Sequence, residues 1–334
     1  MRFKDKLGLP LGGTQFKGNL HSHTTNSDGC LTPEQAAEAY RAQGYHFLCL
    51  SEHDRFTDYR ALLNREDFLI LPGLEASSNL VTASQPARRL KTHHMHGILG
   101  TQQMERNAAK HFHHQQVLTP PEWKGSWDGA AAAQQLADFL QDHGCLVTYD
   151  HPIWSRVEPE EFISTEGVWA LEIYNYNTVN ESGTGGDTTY WDQILRRGKR
   201  IFAFASDDNH NQGEFDDAFG GWIQVVAEQL EHEALISALL RGDFYSSSGP
   251  WISAWGVKDN QVYIHCSACE RINFICGGDV GAGGTVIAPT RDGLHTASFP
   301  LSGTESYVRV ECVDYEGKTA WTNPLFLEPE EELE

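Results

Sequence analysis

Positive charge is scarce in this chain. Its 334 residues carry 25 Lys and Arg against 46 Asp and Glu, a formal net charge of -21. A surface that binds nucleic acid is basic, so this balance argues against nucleic acid as a partner. Long apolar runs are also missing. No stretch reaches about 18 apolar residues, so no transmembrane helix is expected and no membrane partner with it. The start, Met1-Arg2-Phe3-Lys4-Asp5-Lys6, lacks the apolar segment of a secretory signal, which points to a cytoplasmic protein. The 7 Cys are scattered and odd in number, which reads as reduced thiols rather than a disulfide framework. Cys266-x-x-Cys269 has the spacing of half a zinc site. No second pair stands near it at ligand spacing, so a structural role is the plainer reading. Composition leaves the oligomeric state open.

What the chain does have is a core and a supply of metal-ligand types. It is 40% hydrophobic, with 9 Trp and 16 Phe, enough for one large domain and a small one. Histidines and acids recur in clusters: His21-Ser22-His23 with Asp28, Glu52-His53-Asp54, Glu75, His94-Met95-His96, Asp150-His151 and Asp207-Asp208-Asn209-His210. Most follow an apolar run that reads as a buried strand. Imidazole and carboxylate suit divalent transition metals. One metal needs three or four ligands and about nine candidates are present, so the pattern points to a multinuclear centre. Lys110-His111-Phe112-His113-His114 also looks like a metal tract, but no strand precedes it and residues two apart do not share a helix face. A surface loop is the better reading.

Strand and helix patterns alternate from residue 14 to 245. Phe16 to Leu20 reads as a strand entering His21. Thr32-Pro33-Glu34-Gln35 opens a helix with Thr32 as N-cap, Pro33 in the first turn and Gln35 closing a capping box; Gly44 ends it. Phe47 to Leu50, Phe68 to Leu71, residues 94 to 99, Cys145 to Tyr149, Val168 to Tyr174 and Ile201 to Ala205 are further strand candidates. Trp127 to His143 and Thr189 to Arg197 read as helices. Such alternation predicts a parallel β/α architecture whose chemistry gathers at the C-terminal strand ends. About seven strand ends are counted, one short of a full barrel. Residues 80 to 126 read as mostly irregular. Ser246-Ser247-Ser248-Gly249-Pro250 reads as a linker, followed by short β runs that predict a small all-β sandwich. The expected division is a lead-in over 1–13, a barrel over 14–249, a β domain over 250–327 and a solvated acidic tail over 328–334.

His21-x-His23, Asp28, Glu52-His53, Glu75, His96, His151 and Asp208-x-His210 resemble, in order and spacing, the PHP (polymerase and histidinol phosphatase) superfamily of metallohydrolases. The resemblance covers about residues 14 to 250. His151-Pro152-Ile153-Trp154-Ser155, Glu172-Ile173-Tyr174-Asn175, the 244–250 segment and Trp321-Thr322-Asn323-Pro324 are similar to its CehA/McbA branch, which carries a C-terminal β domain. The fold this implies is α/β, a distorted (β/α)7 TIM-like barrel followed by a β-sandwich.

The resemblance implies a centre of two or three divalent metals, Zn, Mn or Fe. His21, His23 and Asp208 would hold the first, and Asp28, His53 and His210 the second. Glu75 would bridge, and His96 and His151 would hold a third. His94 is the alternative to His96, and Asp207 the alternative to Asp208. A hydroxide shared between such metals would be the nucleophile. The implied activity is a phosphoesterase acting on a small phosphorylated molecule, a monoester or a cyclic or other diester. Carbamate, amide or ester hydrolysis by the same centre is the alternative. Arg156 and Arg55 are candidate phosphate clamps, with surface ion pairs as the competing role. Asp54 could orient a histidine or act as acid or base. Glu172 and Asn175 end a strand facing the pocket and could orient substrate or form buried hydrogen bonds. For the carbamate alternative, Trp154, Tyr174, Tyr176 and Trp222 could build an apolar slot.

Overall fold

The structure is a computed structural model and describes residues 2–85 and 88–330. It is a mixed α/β fold built around one 15-stranded sheet. From one edge the strand order is Phe202–Ser206, Val168–Asn175, Cys145–Tyr149, Arg89–Leu99, Leu69–Val81, Phe47–Leu50 and Thr14–Asn19. It continues through Trp222–Ala227, Phe244–Ser247, Thr319–Thr322, Tyr307–Val313, Arg271–Gly277 and Gly283–Ile287. The three strands from Thr14 to Val81 run parallel, as do the three from Cys145 to Ser206. Between these trios lies Arg89–Leu99, antiparallel to both of its neighbours.

That strand departs from the all-parallel expectation. Leu69–Val81 and Arg89–Leu99 form one long hairpin, with Glu75 opposite His96 and Ser77 opposite His94. Glu75, His94 and His96 therefore reach the site from mid-strand rather than from strand ends. The expected Phe68 to Leu71 strand is in fact 13 residues long, and all of them are buried. Its Pro72, Gly73 and Ser77-Ser78-Asn79 look like turn residues in isolation.

The sheet is not a closed barrel. Its edge strand Phe202–Ser206 approaches Trp222–Ala227 and Phe244–Ser247 without a ladder to either. Side chains take up the edge instead: Ser246 Oγ donates to the Ala203 carbonyl at 3.0 Å, and Asn323 Oδ1 accepts from Ala203 N at 3.1 Å. Only beyond the strand ends do the two sides meet. His23 N donates to Asn209 O, and Asp208 N to His21 O, each at 3.0 Å. This seam brings His21, His23, Asp208 and His210 together.

Helices cover the outer face. Thr32 and Gln35 form the reciprocal capping box of the Pro33–Ala42 helix. The Gly129–Asp142 helix starts later than expected, because Asp128 Oδ1 caps Ala131 N at 3.1 Å. Trp127 stays outside it, stacked on His93 and donating to Glu161. The Lys110–His114 tract is exposed apart from Phe112, which stacks on His143.

The large sheet runs on across residue 250, since Phe244–Ser247 pairs with Thr319–Thr322. The expected linker is a strand end fastened by serines: Ser247 Oγ donates to Pro250 O, and Ser248 Oγ to Thr319 O. A second sheet, Lys6–Leu7, Ile252–Lys258, Gln261–Cys269 and Leu294–Pro300, packs over the C-terminal strands. Trp255, Val257, Ile264, Phe274, Val308 and Val310 fill the space between them. The lead-in thus supplies an edge strand. Of the expected tail, Glu328 and Glu330 pair with Lys4 and Arg2 through the backbone; residues 331–334 lie outside the described residues.

Arg309 ties these C-terminal strands to the Thr188–Arg196 helix. Its buried guanidinium contacts Asp192 at 2.9 Å and Glu311 at 2.6 Å, and it lies over the Trp191 ring. Removing one partner of a buried ion pair strands the other charges. Arg309→Met is expected to lower unfolding stability by about 3 kcal/mol in urea titration. A change under about 1 kcal/mol would show that water already screens the pair.

Candidate metal centre

Glu75 is the hub. Its side chain is fully buried, and five imidazoles surround it. Oε1 lies 2.6 Å from His94 Nδ1 and 3.1 Å from His151 Nε2. Oε2 lies 2.8 Å from His53 Nδ1, 3.3 Å from His23 Nε2 and 3.5 Å from His21 Nε2. Asp208 Oδ1 stands 3.0 Å from both His21 Nε2 and His23 Nε2. Asp28, on the exposed side, faces His210 Nε2 at 3.4 Å and His53 Nε2 at 3.5 Å. Donor atoms of His23, Asp28, His53 and His210 form one group compact enough to hold an ion. Those of His21, His23 and Asp208, and of His21, Glu75 and His96, form two more.

The loops are shaped to present these atoms. Gly29 is needed after Asp28 because a Cβ there would sit 2.5 Å from His23 O. Glu52 is not aimed at the centre: it accepts from Thr24 and Ser27 and so fixes the turn that carries Asp28. Asp54, His151 and Asp208 all have positive φ (49°, 26° and 55°), a region non-glycine residues enter at a cost. Such strain collects where surrounding structure forces a side chain into a functional position.

A layer of hydrogen bonds sets the ring orientations. Glu172 Oε1 accepts from His21 Nδ1 at 2.9 Å, which leaves Nε2 facing Glu75 and Asp208. Its Oε2 accepts from His151 N and from Asn175 Nδ2, each at 3.0 Å. Asn175 Nδ2 also donates to Asp208 Oδ2 at 3.0 Å. Ser155 Oγ lies 3.1 Å from His151 Nδ1, and the Asp208 carbonyl accepts from His210 Nδ1 at 2.9 Å. Holding one ring nitrogen fixes the other as the ligand atom.

Electrostatics follow this packing. Burial raises the Glu75 carboxyl, but His94, His53 and His21 overcome it and hold the group well below the usual range. Burial opposes a charged His151, while Glu75, Glu172 and Asp208 hold it up at about 9. His210 is held at about 9 against burial by Asp28 and Asp208. Burial pushes His94 down to about 4, against the pull of Glu75.

The donor set fits divalent metals. Glu75 Oε2, both ring nitrogens of His94, both of His96 and Asp150 Oδ2 are buried with no hydrogen-bond partner. Orphaned polar atoms are costly, and these belong to the Glu75–His96 hairpin and to Asp150 beside it. Metal coordination would satisfy Glu75 Oε2 and a ring nitrogen of His94.

The structure distributes the sequence candidates unevenly. His21, His23, Asp28, His53, Glu75, His151, Asp208 and His210 come together. His94 is beside Glu75 and His151, the position expected for His96. His96 lies deeper, its ring edge-on to His21 with centroids 4.1 Å apart. Asp207 turns away: its oxygens accept from Tyr40 and from the backbone of Phe219, Gly220 and Gly221, at 2.7 to 2.9 Å. Asp54 Oδ1 accepts from Ser77 N at 2.8 Å, supporting the Glu75 strand from outside the cleft. Asn175 is buried among the carboxylates rather than exposed to a substrate.

A cleft of about 400 Å³ opens over Asp28, His53, His94, His151, Asp208 and His210. Neither Arg55 nor Arg156 is among the residues that line it; Arg89, Trp154, Asn177, Glu181 and Phe215 are. Sequence reading missed Arg89 because it lies in a segment taken as irregular. Of the four slot aromatics, Trp154 alone lines the cleft, with Nε1 donating to Glu181 at 2.8 Å.

No family model and no curated protein matches the chain. Solved structures do. Metal-dependent phosphoesterases are among them. One is a two-domain protein from Bacteroides vulgatus containing a predicted PHP-like metal-dependent phosphoesterase, at 12% identity, TM-score 0.46, covering 97% of this chain and 99% of that one. Another, from Bifidobacterium adolescentis, is described as a metal-dependent phosphoesterase, at 12% identity, TM-score 0.37, covering 62% of this chain and 90% of that one. A third is an amidohydrolase from Chromobacterium violaceum with bound sulfate and no metal, at 16% identity, TM-score 0.42, covering 68% of this chain and 96% of that one. Among the described residues, no helix is long and apolar enough to cross a membrane.

Proposed function

We propose that the protein is a metal-dependent phosphoesterase of the PHP type, in its CehA/McbA branch, acting on a small phosphate monoester or diester with two or three Zn, Mn or Fe ions. The observation that carries this is the Glu75 hub: one buried carboxylate with both oxygens within 3.5 Å of imidazoles from four segments of the chain. Bound divalent ions would lower the pKa of a water and polarise the ester oxygens. The protein's share is arrangement. Glu75 would bridge, His21, His23 and Asp208 would hold one ion, Asp28, His53 and His210 a second, and His94 with His151 a third. Glu172 and Asn175 hold His21 and Asp208 of the first group in register with His151 of the third.

Arg89 favours a phosphate over a neutral ester. It is an arginine on the wall of a cleft otherwise lined by carboxylates, histidines and uncharged side chains, and guanidinium recognises phosphate oxygens bidentately. Trp154 and Phe215 on the same wall support carbamate or amide hydrolysis as the second reading. The test is turnover of a phosphate monoester, a phosphodiester, a carbamate and an amide by metal-loaded protein, with elemental analysis. Phosphate release at two or three metals per chain is expected. Arg89→Ala should lower kcat/KM for the phosphate ester about ten-fold, roughly 1.4 kcal/mol, chiefly through KM. Cleavage of the carbamate or amide alone, indifferent to Arg89→Ala, would move the assignment to the second reading.

A further inference from the structure

Three thiols meet in the core of the C-terminal sandwich. Cys266 and Cys269 lie on the Gln261–Cys269 strand, and Cys312 lies on Tyr307–Val313 in the facing sheet. Their sulfur atoms are all within 4.8 Å of one another, and each residue is at most 4% exposed. None is in a disulfide.

The convergence takes a specific irregularity. On a regular strand, residues three apart point to opposite faces. Val262, Ile264 and Cys266 alternate inward as expected, and Cys269 should then face out. The pairing with Leu294–Pro300 slips between His265 and Cys269, so four residues on one strand span two on the other. A second slip, between Ile252 and Ala254, adjoins Cys266 on its other side. This double bulge turns Cys269 inward beside Cys266. Bulges re-aim side chains at the expense of ladder hydrogen bonds, and packing alone needs no such device. The facing strand completes the group: Cys312 stands opposite Ile272 and Ala320 in an unbroken register.

We propose that Cys266, Cys269 and Cys312 form a second metal site, a three-thiolate cup for a thiophilic d10 ion, Cu(I) or Zn(II). It is independent of the hydrolase reading. Soft thiolates select these ions over the harder metals suited to a histidine–carboxylate centre. Three ligands saturate Cu(I); Zn(II) takes a fourth donor. The ion would cross-link the two sheets that enclose the sandwich core, replacing a disulfide in a reduced protein.

The test uses the full reduced chain under anaerobic conditions, titrated with Cu(I) and separately with Co(II) as the spectroscopic stand-in for Zn(II). Thiolate-to-metal charge-transfer absorption reports sulfur ligation and is silent for histidine and carboxylate. A band saturating at one equivalent per chain with either ion is expected, and the ion that gives it identifies the natural occupant's class. Cys312→Val, which keeps an apolar side chain of similar size, should abolish it. Cys30→Ser should not. That control matters because Cys30 is exposed and its backbone N–H bonds to His210 O, next to the other centre. Absence of a band with both ions in the unmodified chain overturns the proposal whether or not the variants fold. So does a band that survives Cys312→Val or disappears in Cys30→Ser.

Discussion

Glu75→Gln is expected to lose at least one metal ion per chain and to lower kcat/KM about a thousand-fold, with the fold retained. The carboxylate is the one group in contact with His21, His23, His53, His94 and His151 together. A carboxylate can give one oxygen to each of two cations; the amide that replaces it offers one oxygen and turns an N–H donor on the other. One of the two positions then faces a group that repels a cation. Loss of Lewis-acid assistance is worth several kcal/mol, and about 4 kcal/mol corresponds to three decades of rate. The change is nearly isosteric within a fully buried site, so cavity costs are small. Elemental analysis, kcat/KM on a phosphate ester and a urea titration check the three parts separately. Full metal content in the variant would remove Glu75 from the bridging role. A collapsed urea midpoint would mean the carboxylate mainly balances imidazolium charge in the folded chain.

Much of this site was legible because its residues are tied to local signals. Phe47–Leu50, Cys145–Tyr149 and Phe202–Ser206 are short apolar runs of strand type, and each delivers a histidine or acid just past its end. The Pro33–Ala42 helix was announced by its own cap residues. What the sequence did not carry was strand direction and everything decided at long range. Periodicity is the same for a parallel and an antiparallel strand, so the reversed Arg89–Leu99 could not be read, nor could its delivery of Arg89 to the cleft. The open edge rests on Ser246 and Asn323 meeting Ala203, residues far apart in the chain. Asp207 and Asp208 are chemically alike in sequence. They separate only because the Phe219-Gly220-Gly221 backbone folds back to cradle one of them. Gly221 permits this approach, since a Cβ there would meet Ser206 O at 2.3 Å. Cys312 joins Cys266 and Cys269 by the same kind of distant contact.

His94 and His96 put the difference between pattern and geometry to experiment. They share a face of one strand, and the family resemblance favoured His96, with His94 as the alternative. The structure sets His94 at the cleft wall, 2.6 Å from Glu75 and with its ring close to those of His53 and His151. His96 sits behind it, next to His21, Phe204 and Asp150. His94 lines the cleft and would hold an ion within reach of substrate, whereas His96, grouped with His21 and Glu75, lies away from it. His94→Ala is therefore expected to cost one equivalent of metal and about a hundred-fold in kcat/KM, while its metal-free stability changes little. His96→Ala should keep full metal content and most activity, and lose about 2 kcal/mol of stability from the cavity left beside Phe204. Both rings are buried and held neutral, His94 at about 4 and His96 also well below its ordinary value, so protonation state does not separate them. Position does. Metal analysis on the two variants is decisive: if His96→Ala loses the ion and His94→Ala keeps it, the assignment from the family resemblance stands and the strand must approach the centre in a different register.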